Sequence, residues 1–142
     1  MTRRSVVLTT GVFDLMHSNH LQMLREAKSF GDYLIVLVHC DDAVAAYKRR
    51  PVLGQDERLK QVVAVRYVDE AHIDFLPFGA DALEVQLQKY QPDHYVYCGD
   101  GWDEEFAPAI TRKILRRLPY HDGISTSEIL GEIKQRFFDG TL

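Results

Sequence analysis

Residues 33–39, Tyr-Leu-Ile-Val-Leu-Val-His, form an apolar run without alternation, and that run restricts the fold more than any other feature of the chain. A strand with one wet face alternates apolar and polar side chains, so this one reads as covered on both sides. Shorter β-branched or apolar runs at 6–10, 71–75, 94–97 and 113–118 read as further strands. Stretches of helical period lie between them at 18–30, 57–65 and 80–90, with a short one at 42–47. Leu21, Leu24 and Ala27 space the apolar face of the first, Gly31 is expected to stop it, and Pro92 follows the third. Strands alternating with helices require parallel crossovers. The expected architecture is therefore α/β, an open parallel sheet of about five strands with helices on both faces. Residues 104–117 carry a competing helical reading. A terminal helix is expected over 125–137, with Ile129, Ile133 and Phe137 on one face.

With 142 residues, 46% hydrophobic and 27% charged, the chain has the size and composition of a single folded domain, 1–142. A net charge of −4 disfavours a nucleic-acid module, which usually carries a basic face. No apolar run is long enough to span a bilayer, and Thr2-Arg3-Arg4 leads into only a short apolar segment rather than a signal peptide. Cys40 and Cys98 have no metal-ligand spacing and build no disulfide framework. Reduced thiols in a cytoplasmic protein are the expectation.

Thr9-Thr10-Gly11-Val12-Phe13-Asp14-Leu15-Met16-His17-Ser18-Asn19-His20 carries most of the chemistry. It reads as a strand, a glycine turn and a helix start with two histidines three residues apart. That spacing sets both imidazoles on one side of the first turn, beside unpaired N–H groups and the positive end of the helix dipole. Such a terminus is a cradle for polyphosphate. A histidine pair at this spacing is ordinarily structural, and zinc is a competing use. No carboxylate or cysteine of suitable spacing completes a zinc site, so no protein metal site is expected.

Gly-Val-Phe-Asp-Leu-Met-His-Ser-Asn-His resembles the signature of the small cytidylyltransferases within the HxGH nucleotidylyltransferase superfamily. Arg66-Tyr67-Val68-Asp69-Glu70 and Gly123-Ile124-Ser125-Thr126-Ser127-Glu128-Ile129 agree with it, in the family's order, and the likeness is greatest to the glycerol-3-phosphate branch. The resemblance implies a Rossmann-like sheet and transfer of a cytidylyl group from CTP to a small polyol or sugar phosphate. It implies catalytic roles for His17, His20 and Lys48, with Arg49 or Arg50 as substitutes for the lysine. Thr10, Gly11, Val12, Phe13, Asn19, Gly99, Asp100, Ser125 and Thr126 would bind the nucleotide, and Arg66, Trp102 and His121 the acceptor. It also implies a homodimer, and Mg²⁺ bridging the nucleotide phosphates.

Each residue also has a plainer reading. Lys48-Arg49-Arg50 is an ordinary solvated turn, Arg58 (for which the resemblance implies a counterpart comparable to the phosphate-reaching lysine) a solvent-facing helix residue, and Arg66 a partner for Asp69. Ser125 and Glu128 fit a capping box, Trp102 a core-capping indole, and Asp14 a loop-fixing carboxylate. Two departures from the family stand out. Asn19 occupies a glycine position, where its side chain would clash with the nucleotide, bond to it or be tolerated. Tyr120-His121 replaces a frequent Arg-Thr, removing a phosphate contact. Two rivals follow: an adenylyltransferase acting on a sugar phosphate, and a CTP-binding protein with little turnover.

Overall fold

The computed structural model describes residues 3–142; Thr2 of the basic N-terminal segment lies outside them. Eleven elements follow one another among the described residues. They are β1 (Val6–Gly11), α1 (Ser18–Lys28), β2 (Tyr33–His39), α2 (Asp41–Ala45), α3 (Gln55–Val63) and β3 (Glu70–Asp74), then α4 (Ala80–Tyr90), β4 (His94–Cys98), α5 (Ala107–Thr111), β5 (Leu115–Leu118) and α6 (Thr126–Asp139). The strands form one parallel sheet in the order β3-β2-β1-β4-β5. The chain winds outward from β1 to β3, then crosses back to β4 on the other side. The switch point therefore falls between β1 and β4, and ligands in such sheets bind beyond the carboxyl ends of the strands there.

β2 explains its own sequence. Leu34, Val36 and Val38 enter one core with Val7, Leu24, Ala27 and Val62, beneath α1 and α3. Ile35 and Leu37 enter the other with Leu8, Leu83, Leu87 and Phe106, beneath α4 and α5. Alternate side chains thus face two helix layers, and no position is left for a polar residue until His39.

One expectation needs correction, and two are refined. α1 ends at Lys28, before Gly31. Glycine at 31 answers a close approach instead, since a Cβ there would lie 2.9 Å from both Ser5 Oγ and Val7 Cγ2. The 104–117 segment divides into short α5 and short β5. The terminal helix forms, but none of its side chains is buried, and Phe137 and Phe138 stand 71% and 72% exposed.

Candidate active site

A cleft of about 650 Å³ opens at the switch point. Its floor is the turn after β1. Phe13 and Leu15 there have left-handed backbones, with φ of 55° and 47°, an unfavourable state for bulky side chains that the surrounding packing must hold. A Cβ on Gly11 would fall 2.8 Å from the Phe13 ring, so any side chain there would force the ring to move. Gly11, Val12 and Phe13 line the cleft, as does Thr10, whose hydroxyl pairs with Tyr95 Oη at 2.8 Å.

The turn delivers His17 and His20 to the start of α1. Their rings stack with centroids 3.8 Å apart and planes 26° apart. The His17 backbone N–H donates to His20 Nδ1 at 3.2 Å, which leaves the His20 proton on Nε2. Burial, reinforced by the His17 ring, holds the His20 pKa down to about 4 against the opposing pull of Asp14. Burial also lowers His17, opposed by Glu128. The pair therefore meets a ligand near pH 7 as neutral N–H donors.

Asp14 is 5% exposed and takes the supporting place. Its Oδ2 accepts from the Val52 N–H at 2.8 Å and its Oδ1 from the Leu53 N–H at 2.9 Å. This fastens the 48–53 segment to the histidine turn. Lys48 and Arg49 line the cleft as a result. Partial desolvation and the Arg49 charge lower the Lys48 pKa, with Asp14 opposing. Arg50 turns away toward Asp41 and Asp42, at 3.9 Å from each. Arg58 is neither solvent-facing nor in the cleft. Fully buried, it donates to Leu53 O, Val12 O and Asp41 Oδ1 at 2.9, 2.8 and 2.7 Å, joining both loops to α2.

The far wall is the start of α6. Ser125 Oγ accepts from the Glu128 N–H at 3.1 Å, one half of a capping box. The Thr126 hydroxyl donates to Asp14 O at 2.8 Å, so its proton is spent within the protein. What remains for an anion is the Ser125 hydroxyl proton and the unpaired N–H groups of the first turn. Asn19 reaches this wall. Its Nδ2 lies 2.9, 3.3 and 2.7 Å from the carbonyl oxygens of His121, Asp122 and Ile124. Asn19 itself borders the cleft, and these contacts engage its amide nitrogen within the protein. His121 borders the cleft, but its Nε2 is 3.0 Å from Glu26 Oε2, leaving only Nδ1 for a ligand.

Three of the expected site residues lie outside the cleft lining. Arg66 precedes β3, at the amino edge of the sheet and away from the cleft. Its guanidinium donates to Tyr67 Oη at 2.8 Å and lies over that ring. Asp69 is no partner to it, pairing instead with Lys28 and the Leu34 N–H. Gly99 and Asp100 also lie outside the cleft lining. The Gly99 carbonyl accepts from Arg117, and Asp100 is exposed. Trp102 does line the cleft, 44% exposed and edge-on to Phe78 at 5.3 Å.

Sequence reasoning missed His39, Tyr47 and Phe78, all in the lining. His39 is 5% exposed, its Nδ1 is 3.7 Å from Asp74 Oδ2, and that nitrogen has no hydrogen-bond partner. Its signal was available, as a lone imidazole closing an otherwise apolar strand. Among the described residues, no group of three or more His, Cys, Asp or Glu side chains is arranged to hold a metal ion.

Donors suited to phosphate converge on one cleft from two helix starts, the layout of a nucleotidyltransferase domain. The Cytidylyltransferase-like family matches residues 8–131, and the chain belongs to that family. It is 36% identical over 131 residues to the ethanolamine-phosphate cytidylyltransferase of Mus musculus, covering 87% of this chain and 31% of that one. The chain thus spans about a third of that relative's length. It is 32% identical over 143 residues to the FAD synthase of Thermococcus kodakarensis, covering 92% of this chain and 93% of that one. The lipopolysaccharide core biosynthesis protein from Thermoplasma volcanium GSS1 shares the fold, with a TM-score of 0.72 at 24% identity over 84% of this chain and all of that one.

Proposed function

We propose that this domain transfers a cytidylyl group from CTP to a small phosphorylated polyol or sugar. An oxygen of the acceptor phosphate attacks the α-phosphorus, the α–β bridging bond breaks, and pyrophosphate leaves with the electron pair. The attacking oxygen is already anionic near pH 7, so positioning and charge neutralisation carry the catalysis. His17 and His20 donate N–H groups to the α-phosphate. Lys48 follows the charge from acceptor to product, and the first turn of α6 with Ser125 holds the leaving end. Trp102 walls the acceptor side.

The stacked imidazoles facing the open start of α6 across one cleft carry this reading. Mg²⁺ is proposed as the cofactor, neutralising the triphosphate and held chiefly by its oxygens, since both carboxylate oxygens of Asp14 are engaged by backbone. No helix among the described residues is long and apolar enough to cross a membrane. The cytoplasm is the proposed compartment and a homodimer the proposed assembly, which light scattering on the purified chain tests. The FAD synthase relative, matched over 93% of its own length, favours a second reading, adenylyl transfer.

Pyrophosphate release separates the two. CTP and ATP are each offered with Mg²⁺ and a panel of glycerol phosphate, ethanolamine phosphate, sugar phosphates and flavin mononucleotide. Turnover with CTP supports the proposal, and replacing His17 or His20 by Ala then lowers the rate ~10²–10³-fold. Turnover with ATP alone replaces it by the second reading. Binding of CTP with silence across the panel replaces it by a non-catalytic role.

A further inference from the structure

We propose that Asn19 is a positioning residue that shapes the nucleotide site through the backbone of 121–125 rather than by touching the nucleotide. This deepens the reading above and rests on it. Asn19 takes the glycine position of the histidine signature, and its amide nitrogen meets three carbonyl oxygens of the loop before α6 at 2.9, 3.3 and 2.7 Å. Two N–H bonds serve three acceptors, so one is shared. The opposite amide orientation would press Oδ1 against three oxygens, which fixes the assignment.

The consequence lies in the peptide planes. In a trans peptide the N–H of the next residue points opposite to the carbonyl. Turning the carbonyls of 121, 122 and 124 toward Asn19 turns the N–H groups of Asp122, Gly123 and Ser125 away from it. None of these three N–H groups donates to another group among the described residues. Asp122 and Gly123 stand just outside the cleft lining, whereas Ser125 is in it and leads into the open first turn of α6, where the N–H groups of Thr126 and Ser127 are also unpaired and border the cleft. A run of successive free N–H groups leading into a helix start is a receptor for anionic or carbonyl oxygen. Gly123, with φ of 106°, supplies the reversal such a run needs. Asn19 thus sets the orientation of donors that its own side chain never joins. The same tether holds the α6 start opposite His17 and His20, which lie two positions before and one position after the residue that anchors it.

Asn19→Gly removes the tether and leaves the carbonyls to water, whereas Asn19→Asp sets a carboxylate against three oxygens. The expected result is a nucleotide KM raised about tenfold in Asn19→Gly and more steeply in Asn19→Asp, with kcat within about twofold and the acceptor KM unchanged. Hydrogen exchange supplies the second readout. Nucleotide protects the amides of 122–125 in the wild type and protects them less in Asn19→Gly. A purely structural role would lower the melting temperature without splitting the nucleotide KM from the acceptor KM. An unchanged nucleotide KM in Asn19→Gly, or a rise in the acceptor KM instead, overturns the proposal while leaving the transferase reading intact. A wild-type protein that no nucleoside triphosphate protects or stabilises overturns both.

Discussion

α1 and α6 present their amino ends to the same cleft but are held in place by different forces. α1 buries Met23, Leu24 and Ala27 in the core, so its histidines ride on a helix fixed by apolar packing. α6 buries none of its side chains. Its start is fixed by hydrogen bonds instead: the Asn19 amide to three loop carbonyls, Thr126 to Asp14 O, and His121 to Glu26. One half of the proposed phosphate cradle inherits its position from the core, while the other is attached to the first by side chains of the site itself. The donors proposed for catalysis sit on the rigid half, and those proposed for the leaving group on the half whose placement depends on a few polar contacts.

That contrast breaks most readily at Leu24. Leu24→Ala should cost ~2–5 kcal/mol of stability, because it opens a cavity beneath α1. Denaturant unfolding measures it, and a loss under 1 kcal/mol would mean that α1 is not anchored by its core face.

A smaller effect comes from pH. The His20 pKa, ordinarily 6.5, is held at about 4 in the fold. Between those values the unfolded chain binds a proton that the folded chain refuses, so the His20 contribution to stability is lost as pH drops from about 6.5 toward 4 and is constant above that window. His20→Gln should flatten the slope of melting temperature against pH in that range. Equal slopes in the two proteins would show that the imidazole is not desolvated.

The smallest change is expected at the other helix. Phe137→Ala should alter the stability of the isolated chain by no more than ~0.5 kcal/mol, since the ring is 71% exposed. A loss comparable to that of Leu24→Ala would reveal packing on α6 and erase the contrast.

The sequence made the periodic parts of this fold readable. Residues 33–39 and 80–90 match β2 and α4 to the residue, since unbroken apolar patterning and a following proline leave little choice of boundary. His17, His20, Lys48 and Trp102 were legible because each follows a strand's carboxyl end, where the topology puts the cleft. Arg66 was misjudged because a motif in sequence does not say which end of a parallel sheet it occupies, and this one precedes its strand. Arg58 looked like a surface residue because no local pattern marks a guanidinium whose three acceptors come from 5, 46 and 17 positions away. Asn19 was legible as a departure from the family, but not as a tether. Its partners lie 102–105 residues downstream and meet it only through the fold.

The tight fit between Gly11 and the Phe13 ring also limits how such a domain can diversify. A methyl group at position 11 would lie 2.8 Å from that ring, so reshaping the cleft at this point requires the ring to move as well. The rims, in the segments that follow β2, β4 and β5, line the cleft without that constraint and are where a change of acceptor would meet least resistance.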